Sequence, residues 1–399
     1  MNKCQKFIEY SASLPFSTIN IYRGLKKGKH VFKSCLSYRI FNWGIPDFIM
    51  FYEDVILLRI YKKDKQDYPN LIYDTKKRSW GEDLDEYNWY EIPIYKINKN
   101  NENFIFYLIK KSYDNVYNNY KKQYHYDFFK KVFNEKLSKE DILDWAIEYK
   151  QADKYRYIFE KTKKKSVMLI ENINKKITKG SSKLGGQPDL PKDFLWPTCD
   201  NKPLTFLAQI DLSEIDPNMS DNLLPNTGFL YFFSAVAHLD YDDYIYFLDK
   251  IDEKGTNQVY YLDVEKSELK RKNNYYFKLN EVAIDIDYAD SYPLYKEEKI
   301  LEQFNLTAEE LELLTDVPDL QHMATYSHIS LDYTSMHSLL AYEIPVQELG
   351  SNDRVLLQTM CSENTGMYWG DSGAFCFYIN EDDLKILNFE NITAGTQCG

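Results

Sequence analysis

Over about the first 110 residues, apolar and polar positions change places in short runs. INIY, HVFKSCLSYRIF, FIMFYEDVILLRIYK, NLIYDT, WYEIPIYKI and FIFYLIKK are rich in β-branched and aromatic residues, and the connections between them are polar or carry Gly, Pro or Asn. That pattern predicts strands. From residue 112 the period lengthens: Val116, Tyr120, Tyr124, Phe128 and Val132 recur every fourth position, one face of a helix. A second helix is expected from Ser138, where the SKED run offers an N-cap and an acidic first turn, through Ile142, Trp145, Tyr149, Ala152 and Phe159. Ile170, Ile173 and Ile177 predict a third, ended by the glycine and serine cluster KGSSKLGG. The basic run KTKKKS at 161–166 reads as a solvated helix end or linker.

Beyond residue 183 strands and turns return in PLTFLAQIDL, GFLYFFSA, DYIYFLDK, NQVYYLDV and NYYFKL, then in VLLQTM and SGAFCFYI, with EDDLKIL as a short helix or turn. One helix stands out in this half, NLTAEELELL, where Thr307 is the N-cap, Glu310 closes a capping box and Leu306 is placed to staple onto Leu311. The class is α+β with antiparallel pairing.

Two stretches of the second half echo one another in order. KLGGQPDLP, LTFLAQIDL and TGFLYFF are matched by SLLAYEIP, RVLLQTM and SGAFCFY. Each sets a Pro-bearing loop before an apolar strand ending in a glutamine (Gln209, Gln358), then a glycine (Gly228, Gly373) that opens an aromatic strand. One supersecondary unit used twice, with a pseudo-two-fold core, follows from that pattern. The series SKLGGQPDLPKDFLWP, PLTFLAQIDL, LPNTGFLYFF, VLLQT and WGDSGAFCFYINEDDL resembles the YwqG-like family of bacterial proteins of unassigned function, over roughly residues 140–399. The resemblance implies a domain at 136–399 with helices at its start and a duplicated, mainly antiparallel strand core. Residues 1–135 fall outside it as an added Lys- and Tyr-rich, mostly β domain ending in a helix. Where the family's second loop commonly reads Gly-Gly-Tyr-Pro, this chain has LLAYEIP, so a tight turn and its backbone-lined contacts are expected to be lost there.

Charge sharpens the division. Residues 1–180 carry 35 Lys and Arg against 23 Asp and Glu, whereas residues 181–399 carry 14 against 38, within an overall charge of −12. No stretch approaches the roughly 20 apolar residues of a membrane span, no secretory signal pattern opens the chain, and the six cysteines form neither a CxxC pair nor a disulfide framework. A cytoplasmic protein with reduced thiols, no cofactor and no membrane partner is expected.

The candidate chemistry is sparse. GDSG at 370–373 looks like the nucleophile loop of a trypsin-like protease, but Ala374 replaces the second glycine and no matching His or Asp run accompanies it, so a turn capped by Asp371 is favoured over a nucleophilic Ser372. His322, His328 and His337 are spaced six and nine apart, which puts no two on one helical face for zinc. The carboxylate runs LDYDDYIYFLD and AIDIDYAD lack EF-hand spacing and read as solvated strand faces. Gly185 and Gly186 read chiefly as a turn, with an anion-binding nest of amides as the functional alternative.

A functional surface is expected where the two repeated loops approach: Gly185, Gly186, Pro188, Trp196, Gln209, Asp211, Trp369, Gly370 and Asp371. The leading function is a non-enzymatic module whose acidic half captures a protein partner, by analogy an immunity or defence-associated protein. One alternative is a metal-assisted hydrolase using Asp211 and Asp371. A second is nucleic-acid binding through the basic half, although no known nucleic-acid module is legible there.

Overall fold

The structure, a computed structural model, describes residues 4–14, 17–22, 26–27, 30–31, 35–40, 47–52, 55–61, 71–74, 87–120, 126–135, 137–235, 253–272, 279–293, 303–329, 336–343, 354–362, 364–369 and 373–397. The chain divides into two compact units, one made of residues 1–142 and 326–333 and the other of 143–325 and 334–399.

In the first unit, helix α1 (Gln5–Ser13) precedes a six-stranded antiparallel sheet of β1 (Ser17–Tyr22), β2 (Cys35–Ile40), β3 (Asp47–Phe51), β4 (Val55–Tyr61), β5 (Tyr73–Asp74) and β6 (Tyr87–Pro93), in the order β1-β2-β3-β4-β6-β5. Helix α2 (Glu102–Tyr120) packs on β3 and β4. Its buried positions, Ile105, Leu108, Ile109, Ser112, Tyr113 and Val116, follow the three- and four-residue helical spacing. Ser112 ties helix to sheet, since its hydroxyl lies 2.5 Å from the Phe48 carbonyl and accepts from the Arg59 amide at 3.0 Å. The run FIFYLIKK, expected as a strand, is therefore the start of α2. Helix α3 (Tyr126–Glu135) carries Phe128 and Val132 of the four-residue pattern, while Tyr124 lies outside the described residues.

Helix α4 (Lys139–Tyr149) starts where expected, with the Ser138 hydroxyl accepting from the Asp141 amide. It does not run on to Phe159: Gln151 turns the backbone left-handed at φ 55°, and α5 (Arg156–Thr162) begins anew. The expected third helix is a strand, β7 (Lys164–Asn172); KTKKKS is divided, Lys161 and Thr162 ending α5 and Lys164, Lys165 and Ser166 opening β7.

Ten strands form the sheet of the second unit: β7, β8 (Lys183–Leu184), β9 (Thr205–Asp211), β10 (Phe229–Ser234), β11 (Asn257–Leu262), β12 (Val282–Ser291), β13 (Met336–Leu339), β14 (Arg354–Met360), β15 (Ala374–Ile379) and β16 (Thr393–Gln397). Their order is β11-β10-β9-β8-β12-β7-β13-β14-β15-β16, a palindrome of two copies, β7 to β11 and β12 to β16. The registers agree. Lys183 faces Gln209 as Ser338 faces Gln358, and a bulge falls between Phe206 and Ala208 as between Val355 and Leu357. The Leu212 amide donates to the Gly228 carbonyl at 3.0 Å, and the Cys361 amide to that of Gly373 at 3.1 Å. The pseudo-two-fold axis passes through the opposed pair Ile170 and Asp285. The copies are interlocked, because the first strand of each pairs with the second strand of the other, β7 with β13 and β12 with β8.

One face of this sheet holds a single core cluster drawn from both copies, including Val167, Leu169, Leu184, Ile284 and Leu339 with Leu230, Phe232, Phe375 and Phe377. The opposite face of the first copy is covered by the 188–204 segment, with Phe194 and Trp196 packed against Phe206, Phe229, Tyr231 and Phe233. Helix α6 (Ala308–Ile329) carries the expected capping box, Thr307 Oγ1 accepting from the Glu310 amide at 3.2 Å and Glu310 Oε2 from the Thr307 amide at 3.0 Å. Helix α7 (Glu381–Lys385) follows β15. The runs DYIYFLDK and NYYFKL lie wholly or largely outside the described residues, and AIDIDYAD is a strand as expected, part of the central strand β12 with Asp285, Asp287 and Asp290 partly exposed.

Candidate functional site

The first repeated loop is built around a buried ion cluster. Lys183, on the two-residue strand β8, is fully buried, and its Nζ donates to the Gln187 carbonyl at 2.7 Å, to Glu281 Oε1 at 2.9 Å and to Asp189 Oδ2 at 3.3 Å. Arg271 closes the cluster, with Nε 2.9 Å from Asp189 Oδ1 and one terminal nitrogen 2.9 Å from Glu281 Oε1. The Gly180 amide donates to Asp189 Oδ2 at 3.0 Å. Burial works against the Asp189 carboxylate, but Arg271, the Gly180 amide and the Lys183 charge outweigh it and hold its pKa below the ordinary value. Each Lys183 proton has its own acceptor, as a buried ammonium requires. With two cations matched to two anions, the cluster is a closed brace with no unengaged base or nucleophile.

Gln209 extends the brace. It accepts from the Asp189 amide at 2.7 Å and donates to the Ser181 carbonyl at 3.0 Å, while Tyr231 Oη donates to the Asp189 carbonyl at 2.6 Å. Gly185 and Gly186 sit at φ 58° and 73°, and a Cβ on Gly185 would lie 2.2 Å from the Asn280 carbonyl oxygen. Their amides donate to the Leu207 and Leu279 carbonyls at 2.8 and 3.0 Å, so neither is presented to an anion.

In the second copy the position of Lys183 is taken by Ser338 and that of Gly185 by Leu340. Leu340 keeps φ 61°. The left-handed residue expected to be lost from LLAYEIP is thus retained by a non-glycine residue, held by full burial of its side chain. The preceding residues again tie the second strand to the third, the Asp211 amide donating to Ser182 Oγ at 2.9 Å and the Met360 amide to His337 Nδ1 at 3.0 Å. Because Nδ1 accepts, the proton of His337 is assigned to Nε2, which faces Glu171 Oε1 at 3.1 Å. Asn364 Nδ2 donates to Glu171 Oε2 at 2.8 Å. Burial opposes the Glu171 charge, yet the bonds from His337, Ser362 and Asn364 prevail and lower its pKa. Both ring nitrogens are engaged, so this buried Glu–His pair braces the fold and holds no base ready for a substrate.

The remaining predicted residues are dispersed. Pro188 accepts from the Lys272 amide at 2.9 Å. Trp196 Nε1 donates to the Leu204 carbonyl at 2.9 Å, with the ring edge-on to Phe233. Asp211 is buried; Oδ1 accepts from the Ser213 amide and hydroxyl at 3.0 and 2.7 Å, and Oδ2 lies 2.5 Å from Lys266 Nζ. Trp369 stacks on Phe375 in the central core, on the other side of the sheet from Trp196. Gly370, Asp371 and Ser372 lie outside the described residues. Asn280, whose carbonyl lies beside Gly185, donates through its amide to the Thr365 carbonyl at 2.8 Å. His322 is buried on α6, its pKa driven down to about 3 by desolvation. Among the described residues no group of three or more His, Cys, Asp or Glu side chains is arranged to hold a metal, and no helix is long and apolar enough to cross a membrane.

An open feature lies after α7. Ile386 is 72% exposed, directly behind Glu381, Asp382 and Asp383. Fully buried Leu384 anchors one side, and Phe389 and Ile392 pack on the core from the other. Asp383 Oδ1 accepts from Asn388 Nδ2 at 2.8 Å, and Leu387 turns left-handed at φ 56°. The sequence reading passed over Ile386, since a lone apolar residue behind a charged turn gives no periodic signal.

No curated protein sequence matches the chain. A family described as a domain of unknown function (DUF1963) matches residues 182–398, starting inside the first copy and leaving the central strand β7 upstream. The match spans more than half of the chain and contains nine of the ten strands of the duplicated sheet, and the protein belongs to the DUF1963 family.

Proposed function

We propose that the second unit is a non-enzymatic protein-binding module that captures a basic protein, and that within DUF1963 the chain is a YwqG-like member on the strength of its ordered motifs. The observation that carries the binding reading is the turn at 381–392. A protruding isoleucine, anchored on one side by buried Leu384 and on the other by Phe389 and Ile392, is framed by exposed Glu381, Asp382 and Glu390, of which Glu381 pairs with Arg354 and Asp382 with Lys385. A preorganised apolar knob loses little entropy on docking, and an acidic rim favours a basic partner and speeds its approach. The ion clusters point the same way: Lys183, Asp189, Glu281, Arg271, Glu171 and His337 all engage one another or the backbone, and none is held ready as a base for a substrate.

The full chain and its Ile386→Lys variant, immobilised side by side, test this in nuclease-treated lysate of the native host. One basic protein retained at low salt by the parent, released at high salt and not held by the variant, is the expected result. Identical eluates from the two would overturn the reading.

A further inference from the structure

The second unit carries another protruding apolar residue, in different surroundings. Leu195 is 87% exposed, the most exposed large apolar side chain among the described residues. The loop around it is fixed, so the side chain cannot fold inwards. Pro191 and Pro197 bracket the loop, and both neighbours of Leu195 are pinned to the sheet: Phe194 lies edge-on to Tyr260 at 5.1 Å between centroids and Trp196 edge-on to Phe233 at 5.4 Å. Trp196 Nε1 donates to the Leu204 carbonyl, and the Leu204 amide closes back on the Pro197 carbonyl, each at 2.9 Å.

Charge around this loop is balanced. From 192 to 202 the chain exposes Lys192, Asp193, Asp200 and Lys202, two of each sign. Among the described residues neither the Lys192 nor the Asp193 side chain has an ion-pair partner. The turn at 381–392 differs, because acidic residues predominate there. Copies of a chain with a net charge of −12 repel one another, so a self-contact is favoured where the local charge cancels.

We propose that the Leu195 loop is the contact through which two copies of this chain pair about a two-fold axis. In such a contact one patch serves both partners, residue i meeting j and j meeting i. Leu195 of one copy packs against Leu195 of the other, and the Lys192–Asp193 step meets its own reverse, with an ion pair on each side of the axis. An apolar centre inside a charged rim is the usual anatomy of an interface. Ile386 takes no part in it and keeps its turn open to a different protein.

Sedimentation equilibrium of the full chain at up to about 100 μM tests this, since a contact of micromolar Kd is well populated there. A monomer–dimer equilibrium is expected of the parent. Leu195→Lys should weaken the dimer at least about tenfold. Lys192→Asp and Asp193→Lys should each weaken it by setting like charges opposite one another, and the double swap should return the affinity to within about threefold of the parent, because each copy again offers both signs. Ile386→Lys should leave the dimer unchanged. The substituted side chains are all exposed, so the circular dichroism of every variant should match that of the parent. A parent that stays monomeric, undiminished association of Leu195→Lys, single-variant losses that the double swap does not restore, or an equal loss in Ile386→Lys would each overturn the proposal.

Discussion

Phe232 and Phe377 hold equivalent positions in the two copies, and their rings meet at 5.2 Å between centroids, 67° apart. They lie on β10 and β15, each second from an edge of the ten-stranded sheet. For them to touch, the sheet must curl until its halves face one another, with the strands around the pseudo-two-fold axis at the bottom of the bend. The contact therefore reports closure of the duplicated core and not merely local packing.

Either Phe232→Ala or Phe377→Ala should cost about 3–5 kcal/mol, the usual range for a buried phenylalanine. The double variant should cost less than the sum of the two by about 0.5–1.5 kcal/mol, since the ring-to-ring term is then removed once. Urea unfolding of the four proteins gives the cycle. Strict additivity would mean that the halves do not close on each other.

The left-handed residues of the repeated loops make opposite predictions. Gly185→Ala should destabilise severely, because the new Cβ meets the Asn280 carbonyl oxygen at 2.2 Å and the backbone cannot step aside without breaking the β8 pairing. Leu340→Gly loses a buried side chain but relieves a conformation that costs a non-glycine residue about 1–2 kcal/mol. It should therefore destabilise by about that much less than Leu339→Gly, the neighbouring fully buried strand residue. Equal losses at 339 and 340 would show that the turn is not held as described.

Lys183→Met keeps most of the unbranched side chain and removes its charged end. Asp189 then stays buried with only part of its compensation, and a broken buried pair of this kind costs about 3–5 kcal/mol. Thermal unfolding of Lys183→Met beside Lys266→Met separates this cluster from the half-exposed Lys266–Asp211 pair, where the expected loss is smaller.

How much of this was legible in the sequence depended on which faces of each element are buried. Strands β9, β10, β14 and β15 stand out because glycines and polar turns bracket them, and their matched glutamines and glycines reveal the duplication. Strand β7 was misread because Val167, Met168 and Leu169 are buried in succession, so its central position erases the two-residue period and leaves a chance helical spacing of isoleucines. In β12 the aspartates read as a solvated strand face, and Asp285 and Asp290 do stay partly exposed, paired with Lys175 and Lys165; what the sequence does not show is that this strand lies at the centre of the sheet. FIFYLIKK is so rich in aromatics that strand propensity masked the spacing of Ile105, Leu108 and Ile109. The brace is half visible: Gln209 stands out as the glutamine of the repeated pattern, but Lys183 and Glu281 are 98 residues apart and nothing local joins them.

Those same buried carboxylates fix how the protein should respond to acid. Asp189 and Glu171 both have folded-state pKa values below their ordinary ones of 3.8 and 4.5. A depressed carboxyl contributes its full stability above the unfolded-state value, where both states are ionised, and loses it as the pH falls through the folded-state value, because the unfolded chain takes up the proton first. Stability should hence be insensitive to these two groups above about pH 5.5 and fall progressively below it, each adding at most about 1.4 kcal/mol per pH unit to the slope. Asp189→Asn and Glu171→Gln should each be less stable than the parent at pH 7 yet show a shallower decline between pH 5 and pH 3. Urea unfolding at half-unit intervals of pH measures the slopes directly. A variant that declines as steeply as the parent would show that its carboxylate is not held ionised by the partners assigned to it, Arg271 and Lys183 for Asp189, His337 and Asn364 for Glu171.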